Sequence, residues 1–449
     1  MTRKTAICFP KEDRFYRIPF TTLLAVASGF LLILPSAAFC ARWEPVGPSG
    51  GNFVSSVTNP TDASQITVVT TSPSPSNVYR STDGGTSWRK IGEIPTSYVS
   101  DVSAFDFSKL YAISGSRCYR STDGGANWTY SSLPSDSGWA YHICVDPTGR
   151  GSKVYAVGYL YNSSDRTYSL AFFKSTDSGR TWSARQFFTF ESFYAYDMAI
   201  SGSNPSVMYV AGYKRIGNDS YGLLLKSSDG GNSWTDISSS VNTSPRGYFY
   251  AVAIDPTDEE RVYVGGYYYN FGPYYSVYCS QSTGSTGELS WRRVSIDSYA
   301  FSLGIDPTEP SNIYASGIKT VFISRDYGRS WVTYNNCIKG QGAHIEVAPA
   351  TPSTVYVSSS NGLFKSLDSG RTWDFAHEGI KATRVPALAV APSKPTTVLI
   401  EYEGCEMMGS YDSGNNWDYL GYFVICGNVC DILINPLDED VVLALEGDG

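Results

Sequence analysis

The chain has 449 residues, 17% of them charged and 14% aromatic, with 42 Gly and 34 Tyr. It is too long for one small domain and too apolar to stay disordered. A formal charge of −8, with no basic cluster beyond the first residues, leaves nothing to neutralise a phosphate backbone, so no nucleic-acid partner is expected.

In chain order, residues 1–38 read as an export signal. Arg3, Lys4, Lys11, Arg14 and Arg17 outnumber Glu12 and Asp13, an apolar run follows from Phe20 to Leu34, and Ser36-Ala37-Ala38 supply small residues. That is the three-part pattern of a secretory signal, and the apolar run is short for a membrane span. Cleavage after Ala38 moves the charge from −8 to −11 and predicts a secreted, periplasmic or cell-surface protein with no transmembrane anchor. Cys40 keeps lipid attachment open as an alternative. Disulfides are permitted outside the cytoplasm; Cys118, Cys144, Cys279, Cys337, Cys405, Cys426 and Cys430 are seven, with Cys40 an eighth if it survives cleavage, and the seven alone would leave at least one unpaired. With three His and an isolated "CGNVC", no metal and no cofactor are expected.

Residues 39–449 are built from one unit. "YRSTDGGTSW" (79–88) returns as "YRSTDGGANW", "FKSTDSGRTW", "LKSSDGGNSW", "FISRDYGRSW", "FKSLDSGRTW" and "MGSYDSGNNW". The pairs are Asp83 with Trp88, Asp123 with Trp128, Asp177 with Trp182, Asp229 with Trp234, Asp326 with Trp331, Asp368 with Trp373, and Asp412 with Trp417. A damaged copy keeps Ser280, Gly284 and Trp291 but has Ser282 where Asp belongs, which makes eight copies 40 to 54 residues apart. Each turn follows an apolar run, a Pro turn and a second apolar run, as in "VAIDPTDEERVYVGG" (252–266). Four short antiparallel strands per repeat, with no helical periodicity, predict an all-β propeller of about eight blades, seven to nine being open. "RWEPVG" (42–47) reads as a d-strand able to complete the last blade, and 430–436 with 441–449 as strands a and b of a blade lacking c and d.

These residues resemble the Asp-box, or bacterial neuraminidase repeat, S-x-D-x-G-x-x-W. It occurs in sialidases, sortilin-type receptors, two-propeller xyloglucan hydrolases and photosystem II assembly factors. The resemblance covers residues 43–446 and implies the fold, while one scaffold hosts many tasks. The turn has its own physics: Asp accepts backbone N–H groups, Gly tolerates φ > 0, and Trp fills the space between sheets. One carboxylate per turn is too few for calcium, so the repeated Asp and Trp read as structural.

Function is expected on the opposite face, with the b–c and d–a loops. Three b–c segments are long and rich in Tyr: 158–169, 212–222 and 265–276. They hold Tyr159, Tyr161, Tyr213, Tyr267, Tyr268, Tyr269, Tyr274 and Tyr275. Before strand a come aromatic pairs at a fixed offset: Trp139 and Tyr141, Tyr194 and Tyr196, Tyr248 and Tyr250, Tyr299 and Phe301. His142 and Asp197 lie beside them. The pairs read first as inter-blade core, and the loop tyrosines as a binding surface, because contiguous exposed aromatics mark one. The expected partner is a glycan or a protein.

An enzyme is the alternative, as a sialidase-like or xyloglucanase-like glycoside hydrolase. "FYRIPF" (15–20) mimics a sialidase motif, yet its Arg17 lies in the signal, and the remaining catalytic set is not assignable. Hydrolysis needs two carboxylates about 5–10 Å apart. Glu191, Asp197 and Asp219 are the candidates, although the xyloglucanase cleft lies between two propellers and this chain has room for little more than one. The assembly factors' Arg-rich patch has no counterpart here. A third reading is a structural module of a larger surface protein.

Overall fold

The computed structural model describes residues 5–8 and 50–447, apart from 52, 60, 71–74, 97, 105, 135–137, 149–150, 165, 242–243, 270–272, 283–288, 361, 377–380, 383–387, 392–393, 395, 403–405, 413–416, 423–427 and 436–437. The signal segment except Thr5–Cys8, and the strand expected at 42–47, lie outside the described residues. Among those described, the helix is a single turn, Ser238–Val241. No helix is long and apolar enough to cross a membrane.

The chain is an all-β propeller. Eight four-stranded antiparallel sheets follow one another, each a meander in sequence order, as the eight repeats predict. They occupy 53–94, 101–132, 138–189, 193–236, 247–296, 302–335, 342–375 and 388–422. Two compact units divide them, residues 51–380 and residues 1–50 with 381–449.

The larger unit holds seven sheets and closes on itself. The first strand of each sheet packs against the first strand of the next, and the seventh returns to the first. Thr58 N and Oγ1 donate to Glu346 Oε1 at 2.9 and 2.7 Å, and Trp88 Nε1 donates to the Ala376 carbonyl at 2.6 Å. Between sheets lies the core: Tyr155, Val157 and Phe172 of the third interleave with Met198, Val210 and Leu223 of the fourth. Each such side chain, fully buried, stabilises by roughly 1.5–3 kcal/mol.

The smaller unit contains the eighth sheet and a three-stranded sheet. In the latter, Asn428–Asn435 and Asp438–Gly447 pair as a hairpin, and Thr5–Cys8 adds to its edge.

The repeated turns rivet strand ends. Asp83 Oδ1 accepts the Ser87 N–H at 2.8 Å, and Asp123, Asp177, Asp229, Asp326 and Asp368 do the same in their turns. The Gly84 amide bonds the Ser64 carbonyl at 2.8 Å, which puts the a–b and c–d turns on one face. Trp234 is buried and the other described rings are half-buried, so the most sequestered member of each turn is its serine. Ser227 Oγ accepts from Gly231 N at 2.9 Å and donates to Asp229 Oδ1 at 2.9 Å. In the damaged repeat Ser280 instead caps its neighbouring strand, accepting from Val262 N at 2.7 Å and donating to the Glu260 carbonyl at 2.5 Å.

Candidate functional site

The Tyr-rich segments expected as loops are strands. Tyr159 and Tyr161 lie in Val154–Asn162, Tyr213 in Met208–Ile216, Tyr267, Tyr268 and Tyr269 in Asp258–Tyr269, and Tyr274 and Tyr275 in Pro273–Ser282. Tyr suits a pleated surface, so hairpins of the third to fifth sheets run on past the length of their neighbours. The fourth turns tightly at Gly217, whose φ of +61° is left-handed.

The inner strands carry a bulge at one repeated place. Pairing slips between Phe53 and Ser55, Ala140 and His142, Ala195 and Asp197, Phe249 and Ala251, and Gly342 and His344. In the third to fifth sheets the extra residue is Tyr141, Tyr196 or Tyr250. A bulge redirects its side chain and sharpens the local twist, which aims these rings at the next sheet.

The result is a ribbon of thirteen rings across the third to sixth sheets. Tyr161 contacts Tyr168 at 4.8 Å, Tyr168 contacts Tyr159 at 5.2 Å, and Tyr159 contacts Tyr141 at 5.8 Å. Tyr141 meets Tyr194 at 3.9 Å, Tyr194 meets Tyr196 at 4.9 Å, and Tyr196 meets Tyr250 at 4.8 Å. Tyr250 ends the run against Tyr299 and Phe301 at 5.7 and 5.3 Å. A second row joins Tyr213, Tyr248, Tyr267 and Tyr275, returning to Tyr299 at 4.5 Å. Tyr168 is exposed and the other rings are half-buried, so each both packs on a neighbour and presents an edge or face to solvent. Burial pushes the Tyr194 phenol up to about 12 and raises those of Tyr141, Tyr196 and Tyr250. These hydroxyls stay protonated as hydrogen-bond donors.

Not every candidate joins the ribbon. Trp139 is 43% exposed and lies over Gly115 of the second sheet. Tyr268 points to the other side of its strand, where it is 8% exposed, stacks on Tyr274 at 5.0 Å and accepts a bond from Arg293. Tyr269 and Tyr274 are 44% and 45% exposed.

At the foot of the ribbon is a cavity of about 420 Å³ in the centre of the seven-sheet unit. Asp101, His142, Asp197, Ser302 and His344 line it with Tyr98, Tyr196 and Phe301. Asp101 Oδ2 lies 3.3 Å from His142 Nδ1 and accepts the Ile143 N–H at 2.9 Å; Oδ1 accepts from Val102 at 2.7 Å. Asp197 repeats the pattern, accepting from Met198 and Val252 at 2.8 and 2.9 Å. Both carboxylates thus cross-link neighbouring sheets while facing the cavity. Burial raises the Asp197 carboxyl despite His142 and those donors. For His142, burial opposes protonation, but the bond to Asp101 and its charge raise the pKa on balance.

The remaining acids go elsewhere. Glu191 is an exposed bend residue, and Asp219 pairs with Arg246 at 3.8 Å. Among the described residues no group of three or more His, Cys, Asp or Glu could hold a metal. Cys118, Cys144, Cys279 and Cys337 are free thiols. Sequence reasoning missed Asp101, Ser302 and His344 as cavity wall. The available signal was their place in the inner strands, matching that of His142 and Asp197.

No family model and no curated protein matches the chain. Solved structures do. The GH74 enzyme of Niastella koreensis is similar at 18% identity over 89% of this chain and 70% of that one, with a TM-score of 0.61. YCF48 bound to D1 peptide is similar at 15% identity, 73% and 98% coverage and a TM-score of 0.50; YCF48 from Cyanidioschyzon merolae at 14%, 74%, 100% and 0.50. The shared fold is the β-propeller. That fold serves an enzyme in one neighbour and a peptide-bound protein in another, so function has to be argued from the site.

Proposed function

We propose that this is an exported, non-catalytic propeller that binds an extended glycan or protein segment along the tyrosine ribbon. One observation carries the reading: thirteen aromatic rings in unbroken contact across four sheets, most of them half-exposed. Tyr offers flat area, a hydroxyl and little entropy to lose, which suits both kinds of partner. The two cavity carboxylates weigh against hydrolysis, because both oxygens of each are already held by backbone N–H groups. The export reading rests on the basic and apolar pattern of residues 1–38.

The test is release and retention by the purified secreted chain. Reducing-end and sialic acid release are measured across a glycan panel, with retention on immobilised glycans and peptides beside it. We expect no release, retention on one class, and its loss in a Tyr161→Ala/Tyr168→Ala variant that melts as wild type does. Release above a heat-killed control would replace this reading with a hydrolase. N-terminal sequencing should find Phe39 first.

A further inference from the structure

We propose that the central cavity binds an organic ammonium ion, and that it reads a primary ammonium carried by the chain lying on the ribbon. The second half rests on the ribbon reading; the first stands on the cavity alone.

The wall chemistry selects a cation. Asp101 and Asp197 face the space against two imidazoles, His142 already bonded to Asp101 and His344, and neither Lys nor Arg is among the lining residues. An anion would meet two carboxylates, and the one imidazole whose pKa is raised, His142, is already engaged by Asp101. A neutral ligand would leave the field of those carboxylates unused. Tyr196 and Phe301 add aromatic faces at the same site, and Tyr98, 53% exposed, stands in its wall. Rings around a carboxylate pair favour an alkylammonium through cation–π attraction as well as charge.

A second observation concerns the charge of the wall. His344 lines the cavity from the seventh sheet, and its Nδ1 is shielded from solvent with no hydrogen-bond partner among the described residues. A buried nitrogen without a partner is costly. Burial lowers the pKa of His344, so the ring stays neutral and one nitrogen can accept a bond. A neutral ring adds no positive charge to the cavity, so it does not compete with an ammonium for the two carboxylates. The same cavity touches the ribbon through Tyr196 and Phe301, so a polymer along the rings can lower a side group into it.

The chain itself supplies the probe of occupancy. It has three histidines, His142, His344 and His377, and two of them line the cavity. Histidine ring resonances of the whole protein are followed by NMR during titration with benzylammonium, benzyl alcohol or phenylacetate. We expect benzylammonium to shift two of the three resonances saturably and the other two probes to shift none. Asp101→Asn or Asp197→Asn should weaken the response by about tenfold, which is the effect of one lost charge pair. No saturable shift, or equal shifts by all three probes, would overturn the proposal, and this wild-type comparison decides it even if neither variant folds.

The polymer arms then separate sources of the ammonium. Oligolysine is compared with its acetylated form, and oligoglucosamine with its N-acetylated form. A response to one unacetylated member alone assigns a protein or a glycan source. A response to benzylammonium but to neither polymer overturns the second half. Cation shifts retained in Tyr161→Ala/Tyr168→Ala, with polymer capture absent from every protein, would end the ribbon reading and leave the cavity site standing.

Discussion

The seam that closes the seven-sheet ring should carry a pH-dependent weakness. Glu346 lies on the inner strand Gly342–Val347 of the seventh sheet and takes two bonds from Thr58 of the first. Burial pushes its carboxyl up to about 7 from 4.5, against the opposing pull of the Thr58 donors. A carboxyl raised in the folded state holds its proton there more tightly than in the unfolded chain. Its stabilising contribution is therefore complete below about pH 4.5 and is lost as pH rises through about 7. A shift of that size is worth about 3 kcal/mol.

Glu346→Gln keeps an oxygen for both Thr58 donors and removes the titration. Melting temperature is followed from pH 4.5 to 8.5 for both proteins, and only their difference is read, so every other titrating group cancels. The two should melt together at pH 4.5. At pH 8 the variant should be the more stable, by up to about 3 kcal/mol or roughly 4 °C for a unit of this size. Parallel curves across the whole range would refute the reasoning, because they would mean that Glu346 is ionised at no cost in the folded seam.

Other expectations concern single side chains. Ser227→Ala removes a buried hydroxyl and leaves the Gly231 amide without its acceptor, so urea unfolding should show a loss of about 1–3 kcal/mol. The turn carboxylates predict acid sensitivity: the Ser233 hydroxyl and then its amide hold Asp229 at about 2, and Ser87 does the same for Asp83. That stability is present above about pH 4 and should disappear as pH falls towards 2, read as a collapse in melting temperature over that window. Gly231→Ala should fail to fold, since φ is +80° and the new Cβ would sit 2.1 Å from Phe172 Cε1, whereas Gly230→Ala meets open space and should cost about 1 kcal/mol. Tyr268→Ala should cost about 3–5 kcal/mol and Tyr269→Ala less than about 0.5 kcal/mol in the same melts, because only the first is buried.

The propeller was legible because its signal is periodic. Seven intact turns and one damaged copy, 40 to 54 residues apart, state the sheet number, and even the copy with Ser282 builds a full sheet, since strand pairing along 247–296 does not need the missing carboxylate. Where the ring closes was not legible. Closure after seven sheets depends on long-range contacts such as Thr58 with Glu346, and nothing local in either strand announces them. The Tyr-rich segments were visible as composition but were misread as loops, because turn residues at 163–166 and 217–218 drew attention away from the alternation on either side. Tyr268 shows the consequence: among three successive tyrosines, pleating sends the middle one to the packed side.

Site and scaffold share one device. The bulge in an inner strand shifts everything beyond it by one position. In five of the seven sheets the residue after it is Ser55, His142, Asp197, Ala251 or His344, and of these His142, Asp197 and His344 line the cavity. A carboxylate there does two things at once, as Asp197 bonds the amide of Val252 in the next sheet and faces the cavity. The bulged residue itself, Tyr141, Tyr196 or Tyr250, joins the ribbon, and Tyr196 lines the cavity as well. Removing a bulge would therefore disturb seam, cavity and ribbon together, whereas changing Tyr141 or Tyr250 alters the ribbon and leaves the cavity-lining residues in place. Single substitutions at the bulge, rather than deletions, are accordingly what separate ring capture from cation binding in this fold.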